Sequence, residues 1–154
     1  MKPWIWLRAA TALQAFGTFG HTMAGTPVKA TRGPQEEALF SAMRAFRLTI
    51  MGSNRSHWDF YQGFGVTITV NFLVLTILLW QLSSLSRTDS KVVRPMVITI
   101  LFGHLLLIVV GSIYFFLAPV LVSTLTVLCL AMALVEINRG AQADIATPIQ
   151  LRAS

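Results

Sequence analysis

Long apolar runs separated by short polar breaks dominate the chain, and they predict an all-α protein whose helices cross a membrane. Each run is close to the ~20 residues that a helix needs to span the hydrocarbon core of a bilayer. We predict a bundle of four transmembrane helices, with spans at about 4–24, 63–82, 95–117 and 119–137. The polar segment that follows, residues 138–154, is predicted to be a loose tail.

The first span carries two stripes of residues that favour contact with protein rather than with lipid. Polar side chains recur on one stripe and small residues on the neighbouring one: Thr11, Gln14, Thr18 and His21 on the first, and Ala10, Gly17, Gly20 and Ala24 on the second. Small residues let helix backbones approach closely in lipid, and polar side chains there need partners. Plain packing and a polar cavity both explain the stripes. A signal peptide cleaved after Ala24 is the alternative to a retained helix.

Between the first two spans the pattern changes to that of an amphipathic helix at about 34–51. Pro34 suits a first helical position, and Glu36 and Glu37 follow it in the first turn. One face is apolar and the other is polar: Leu39, Met43, Phe46 and Ile50 against Glu37, Ser41 and Arg44. The segment is too charged to span, so we expect an interfacial helix on the membrane surface, or alternatively a soluble cap on the bundle mouth.

Composition excludes an ordinary soluble domain, because 55% of the residues are hydrophobic, 12% are charged and the mean hydropathy is +0.67. The net charge of +6 comes from basic residues scattered singly over loops and helix ends, which favours contact with membrane lipid rather than nucleic acid. The terminal side holds more of them than the first loop: Lys2, Arg8, Arg87, Lys91, Arg94, Arg139 and Arg152 against Lys29, Arg32, Arg44, Arg47 and Arg55. We therefore expect a multi-pass membrane protein with both termini in the cytoplasm.

Two groups of polar residues are candidates for ligand binding. Asn71 and His104 lie near the same depth in the second and third spans, which predicts a hydrogen-bonded pair with either a structural or a functional role. The second group is expected to gather at the outer mouth of the bundle, where it could hold a lipid headgroup or a metal: His21, His57, Asp59 and Tyr61. His-x-x-x-His spacing is absent, so no metal site is predicted.

No cofactor is predicted either. A bis-histidine haem would need His21 and His104 at one depth, but helical rise offsets them by about 15 Å. The single cysteine, Cys129, lies in an apolar run, so an intrachain disulfide is excluded. Gly-x-Ser-x-Gly and phosphate-loop motifs are missing, and no catalytic residue is assigned.

The layout of the chain resembles that of uncharacterised small four-helix membrane proteins of bacteria and, more distantly, the DoxX-like group. The resemblance rests on a helix ending in Gly20-His21-Thr22, a long amphipathic loop, and the sequence Ser56-His57-Trp58-Asp59-Phe60-Tyr61-Gln62-Gly63-Phe64-Gly65 leading into three closely linked helices. It covers most of the chain from Met1 to Ile137. It implies a bacterial inner-membrane bundle that associates with redox partners or quinone, and it brings no catalytic residue set.

Three classes of function are open to such a chain. The first is an accessory or structural protein that packs with lipid, with a partner membrane subunit or with a second copy of itself. The second is a binder or carrier of a small amphipathic ligand, a lipid or a quinone, held between the helices by Asn71 and His104. The third is a membrane enzyme, which is favoured least because no group of catalytic residues is complete.

Overall fold

The computed structural model describes residues 2–25 and 31–151, with side chains described for 2–24 and 31–142. Five helices and a two-stranded hairpin make up these residues: α1 (Pro3–Gly25), α2 (Pro34–Ala45), β1 (Arg47–Ile50), β2 (Ser53–Ser56), α3 (His57–Leu85), α4 (Ser90–Tyr114) and α5 (Leu117–Leu151). Three stretches are long and apolar enough to cross a membrane: α3, α4 and the Leu117–Gln142 part of α5. The fold is predominantly helical, in agreement with the predicted class.

Both α3 and α4 begin earlier than predicted, because polar residues cap them ahead of their apolar parts. The third span was predicted to begin at Pro95, whereas the helix α4 begins at Ser90 and contains Pro95. The Asp89 carboxylate accepts hydrogen bonds from the backbone N–H groups of Lys91 at 3.0 Å and Val92 at 3.2 Å. A side-chain acceptor at this position satisfies donors that have no partner inside the helix.

α5 continues past Ile137, the predicted end of the fourth span, to Leu151. Residues 138–151 of the predicted loose tail are therefore helical, and 152–154 lie outside the described residues. Polar side chains at the expected stop have partners instead: Asn138 accepts from Arg94 Nε at 3.0 Å, and Arg139 donates to Glu136 at 3.2 Å.

The chain divides into two compact units, Met1–Gly17 with Leu73–Ser154, and Thr18–Phe72. We call the first the core unit and the second the hairpin unit. All four helical segments of the core unit contribute to one buried apolar cluster: Leu7 and Ala10 from α1, Leu79 and Leu82 from α3, Val93 and Val97 from α4, and Leu130, Ala133 and Ile137 from α5. The core unit is thus a four-helix arrangement around a shared core.

Glycines allow α5 to approach two of its neighbours in the core unit. A Cβ on Gly111 of α4 would lie 3.1 Å from Val120 Cγ2, and one on Gly17 of α1 would lie 3.2 Å from Val122 Cγ1. The small-residue stripe predicted on α1 therefore makes a close contact at Gly17. Gly20, on the same stripe, has open space where its Cβ would be.

In the hairpin unit, the amphipathic helix predicted at 34–51 ends at Ala45, so its extension to 51 was wrong. The following residues form an antiparallel hairpin that pairs Arg47 with Ser56 and Ile50 with Ser53. Its two-residue turn has positive φ at both Met51 (50°) and Gly52 (81°). This is the turn geometry whose twist matches paired strands, and glycine adopts it readily.

Candidate functional site

A buried polar pair lies among the apolar side chains of the core unit. His104 of α4 is 2% exposed and Gln14 of α1 is 5% exposed. The His104 ring places Nε2 3.1 Å from Gln14 Oε1, and its Nδ1 lies 3.0 Å from the Ile100 carbonyl oxygen. A neutral imidazole carries one N–H, so it satisfies both neighbours when Nδ1–H donates to Ile100 and the amide of Gln14 turns its NH2 toward Nε2. The arrangement links α1 to α4 through the core.

The predicted pairing of Asn71 with His104 was wrong, because each residue has another partner. Asn71 Nδ2 donates to the Thr67 carbonyl of its own helix at 2.8 Å, and the Asn71 side chain is exposed. Both ring nitrogens of His104 face Ile100 and Gln14. Depth along a helix was the basis of the prediction, and depth does not determine which way a side chain faces. Gln14 is close to the middle of the first span and satisfied the same depth argument.

Asp59, predicted at an outer-mouth site, begins α3. Its backbone N–H donates to Ser56 Oγ at 3.1 Å, and its carboxylate accepts from the Ser56 N–H at 2.8 Å. These reciprocal bonds form a capping box, which satisfies two donors at the helix start. The carboxylate of Asp59 is thus part of the helix cap.

The other three residues of the predicted outer cluster contact aromatic rings or backbone. His57 stacks on Phe46 at 4.9 Å between ring centroids, and Tyr61 stacks on Trp58 at 5.7 Å. His21 Nε2 donates to the Gly65 carbonyl at 3.1 Å. No hydrogen bond or ring contact of these three or of Asp59 joins one of the four to another within the described side chains, so the structure does not bring them together as one polar cluster.

The part of the chain that the structure describes contains no group of side chains suited to bind a metal ion. Among those residues, no three or more His, Cys, Asp or Glu side chains lie close enough together to hold an ion. Ligand binding by the six candidate residues stays a prediction.

The cap at Ser56 gives a test of this structural role for Asp59. Replacing Ser56 with alanine is expected to destabilise the first turn of α3 by about 1 kcal/mol, since the Asp59 N–H loses its acceptor. Hydrogen exchange at residues 57–60 measures the effect. Ser53→Ala is the matched control, because Ser53 is an exposed residue of the same hairpin. Equal protection in both variants would contradict the capping role.

Two arginines of the core unit lie over tryptophan rings. Arg8 Cζ of α1 is 3.3 Å from the centroid of the Trp80 ring in α3, and Arg87, just past the end of α3, is 4.3 Å from the Trp4 ring in α1. Arg8 Nη2 also donates to Ser84 Oγ at 3.3 Å. The two pairs are reciprocal, so each helix supplies one ring and its neighbour supplies the cation. Neither of these two contacts was predicted from the sequence.

Two grooves run between helices of the core unit. One, of about 410 Å³, lies between α1 and α3 and is lined by Arg8, Thr11, Ala12, Ala15, Thr76, Ile77 and Trp80. The other, of about 450 Å³, lies between α3 and α4, with Leu78, Leu82, Met96 and Ile100 among its lining residues. Neither groove is lined by His104 or Gln14.

A comparison of the chain with protein-family models, with curated proteins and with solved structures found no match in any of the three. The fold and its polar pair therefore define the class only as a helical protein with three helices, among the described residues, that are long and apolar enough to cross a membrane. The resemblance to DoxX-like proteins stays a prediction, and the function has to be argued from the geometry.

Proposed function

We propose that the chain is an integral inner-membrane protein of accessory type, which packs with lipid or with a partner membrane subunit. The buried pair of His104 and Gln14 is the observation that carries this proposal. His104 is satisfied by Gln14 and by the Ile100 carbonyl, and neither groove of the core unit is lined by the pair. A polar group that is satisfied by the protein's own side chains supports packing rather than ligand binding.

In this proposal α1 is the fourth membrane span. Its length of 23 residues exceeds the ~20 that a bilayer requires. Leu7 and Ala10 of α1 belong to the same buried cluster as the three apolar helices, and Gly17 packs on Val122. Arg8 does not oppose a span, because a long basic side chain near a helix end can extend toward the interface.

Apolar outer faces on α3, α4 and α5 support contact with lipid. Large hydrophobic side chains are exposed along each of these helices: Phe64, Val70, Val74 and Ile77 on α3, Phe102, Leu106, Val109 and Ile113 on α4, and Leu121, Leu125 and Leu128 on α5. Apolar faces of this extent need a cover in water, whereas the hydrocarbon core of a membrane is as apolar as they are.

The hairpin unit suits the membrane surface. Apolar residues of α2 and the hairpin are exposed: Leu39, Phe46, Ile50 and Met51. Glu37 and Arg44 form an ion pair at 3.9 Å that gives α2 a charged side. The stacked rings of Trp58 and Tyr61 at the start of α3 are typical of the boundary between membrane and water.

A lipid or quinone carrier is the second candidate function, and the two open grooves favour it. The polar contacts expected for that ligand were Asn71 and His104. Asn71 bonds to its own helix and His104 is enclosed in the core, so neither residue presents a polar group to a groove. A carrier function would therefore depend on other residues than the ones predicted.

Reporter fusions test the membrane topology. A fusion after Ser154 is expected to be cytoplasmic, and one in the loop at Glu36 is expected to face outward, because basic residues are more numerous on the terminal side. Fusions at both positions on the same side would mean an even number of spans between them, and would contradict the three spans assigned to α3, α4 and α5.

The accessory role is tested on the same protein after purification. Extraction in mild detergent is expected to yield a stable chain without a stoichiometric quinone. A one-to-one quinone that is lost in His104→Leu, while stability is retained, would contradict the accessory role and support the carrier.

A further inference from the structure

The groove between α1 and α3 has an almost wholly apolar surface, and Arg8 is the one charged residue in its lining. Arg8 and Trp80 lie at one end of its lining, and Ala12, Ala15 and Ile77 lie further along the two helices. From Arg8 to Ala15 the helix rises about 10 Å, which is long enough for the first half of a lipid acyl chain. The Thr11 hydroxyl donates to the Leu7 carbonyl at 2.8 Å, so it needs no partner in the groove.

The positive charge of Arg8 is incompletely satisfied by the protein. Its Nη2 donates to Ser84, and its Nε is buried without a hydrogen-bond partner. Nη1 has no partner among the described residues either and, unlike Nε, it is not enclosed. A guanidinium that stacks on a ring and keeps free N–H donors is suited to an oxyanion, because its planar fork matches phosphate geometry.

A second uncompensated cation lies close to the first. Arg87 follows Ser84 by one helical turn, and its backbone N–H bonds to the Ser84 carbonyl at 3.2 Å. Within residues 2–24 and 31–142, neither Arg8 nor Arg87 forms an ion pair with a carboxylate. The nearest acid in sequence, Asp89, caps α4. Arg87 is not a lining residue of the groove, but it lies one helical turn past Ser84, which accepts a hydrogen bond from Arg8, and neither arginine has a counter-ion among the described residues.

We propose that this groove binds one anionic phospholipid, with its phosphate at Arg8 and Arg87 and an acyl chain along Ala12, Ala15 and Ile77. This inference rests on the proposed membrane location and adds a specific lipid to it. The two unpaired cations select a lipid of net negative charge over a zwitterionic one, because the choline of a zwitterionic headgroup would be repelled. The Trp80 ring packs against the guanidinium of Arg8 and holds its plane. Tryptophan is also typical of the boundary between membrane and water.

Spin-labelled lipids test the proposal on the full chain in phosphatidylcholine bilayers. The fraction of motionally restricted label gives the relative affinity for phosphatidylglycerol and phosphatidylcholine. The wild-type chain is expected to prefer phosphatidylglycerol, and Arg8→Gln and Arg87→Gln are each expected to reduce that preference about fivefold.

Arg139→Gln is the matched control, because it changes the net charge equally at a residue that pairs with Glu136. Ala12→Phe is a second test in case Arg8→Gln fails to fold. It keeps both arginines and both tryptophan contacts but fills the groove, and it is expected to lower the preference for phosphatidylglycerol. Equal loss in Arg139→Gln, an unchanged preference in Ala12→Phe, or no preference in the wild type would each overturn the proposal. Release of the chain by alkaline carbonate would instead refute the membrane location itself.

Discussion

Replacing Gly111 with leucine is expected to destabilise the protein by about 1–3 kcal/mol, the usual cost of overpacking a well-packed contact. Even a Cβ at this position would lie 3.1 Å from Val120 Cγ2, and leucine adds three further carbons. The helices cannot separate easily here, because only residues 115–116 connect α4 to α5. Thermal or denaturant unfolding in detergent micelles measures the loss.

Gly103→Leu is the matched control for this substitution. Gly103 lies on the same helix, and its Cβ would meet no atom within 4 Å. Both changes gain about 0.8–1.0 kcal/mol of helix propensity, so the difference between them isolates the steric cost at Gly111. If the two variants were equally stable, α4 and α5 would not approach as closely as the structure has them.

Removing either member of the buried polar pair is expected to destabilise the core unit by about 1–3 kcal/mol. His104→Leu deprives Gln14 of its ring partner, and Gln14→Leu leaves His104 Nε2 facing an apolar side chain. In lipid the value should lie toward the low end, since hydrogen bonds within membranes contribute about 0.6 kcal/mol on average. Equilibrium unfolding of the two variants measures both losses.

A double-mutant cycle identifies the partner of His104. The Gln14→Leu, His104→Leu protein is expected to lose no more stability than either single variant, because replacing both partners removes the unsatisfied group. Asn71→Leu is the control, and its effect should add to that of His104→Leu, since Asn71 bonds to Thr67. Coupling of His104 to Asn71 rather than to Gln14 would restore the pairing expected from sequence.

The sequence predicted the apolar helices because a hydrophobic run of spanning length can be recognised without knowing how the helices pack. It predicted their starts less well, since caps depend on single polar residues. Ser56 and Asp59 have the Ser-x-x-Asp spacing of a capping box directly before an apolar run, which is a readable signal. Because Asp59 was assigned to a ligand cluster instead of a helix cap, the second span was predicted to begin at Gly63.

The hairpin shows why the amphipathic pattern predicted a helix that was too long. Phe46 and Ile50 continue the spacing of Leu39 and Met43, so a helix through residue 51 fits the apolar positions. Gly52 and the β-branched Thr49 and Ile50 favour a turn between strands, and local preference outweighed the periodic pattern there. Hydrophobic spacing by itself does not exclude a short strand that begins where a helix ends.

The sequence predicted which polar residues lie in the bundle but not which of them pair with each other. His104 was singled out correctly as a buried polar residue in the third span, and Gln14 was placed on the polar stripe of α1. Joining them requires the rotation of each helix about its axis, which four-helix packing determines and a single sequence does not state. For the same reason the contacts of Arg8 with Trp80 and of Arg87 with Trp4 were not predicted.

Ser56 is both the last residue of β2 and the cap of α3, and it pairs with Arg47 across the hairpin. No linker therefore separates the hairpin from the helix. At 29 residues α3 is about 43 Å long, which exceeds the ~30 Å of bilayer hydrocarbon, so in the proposed membrane location α3 would tilt or extend past the hydrocarbon. Because the first turn of α3 is hydrogen-bonded to Ser56, a change in the tilt of that turn would also move the hairpin strand that ends at Ser56.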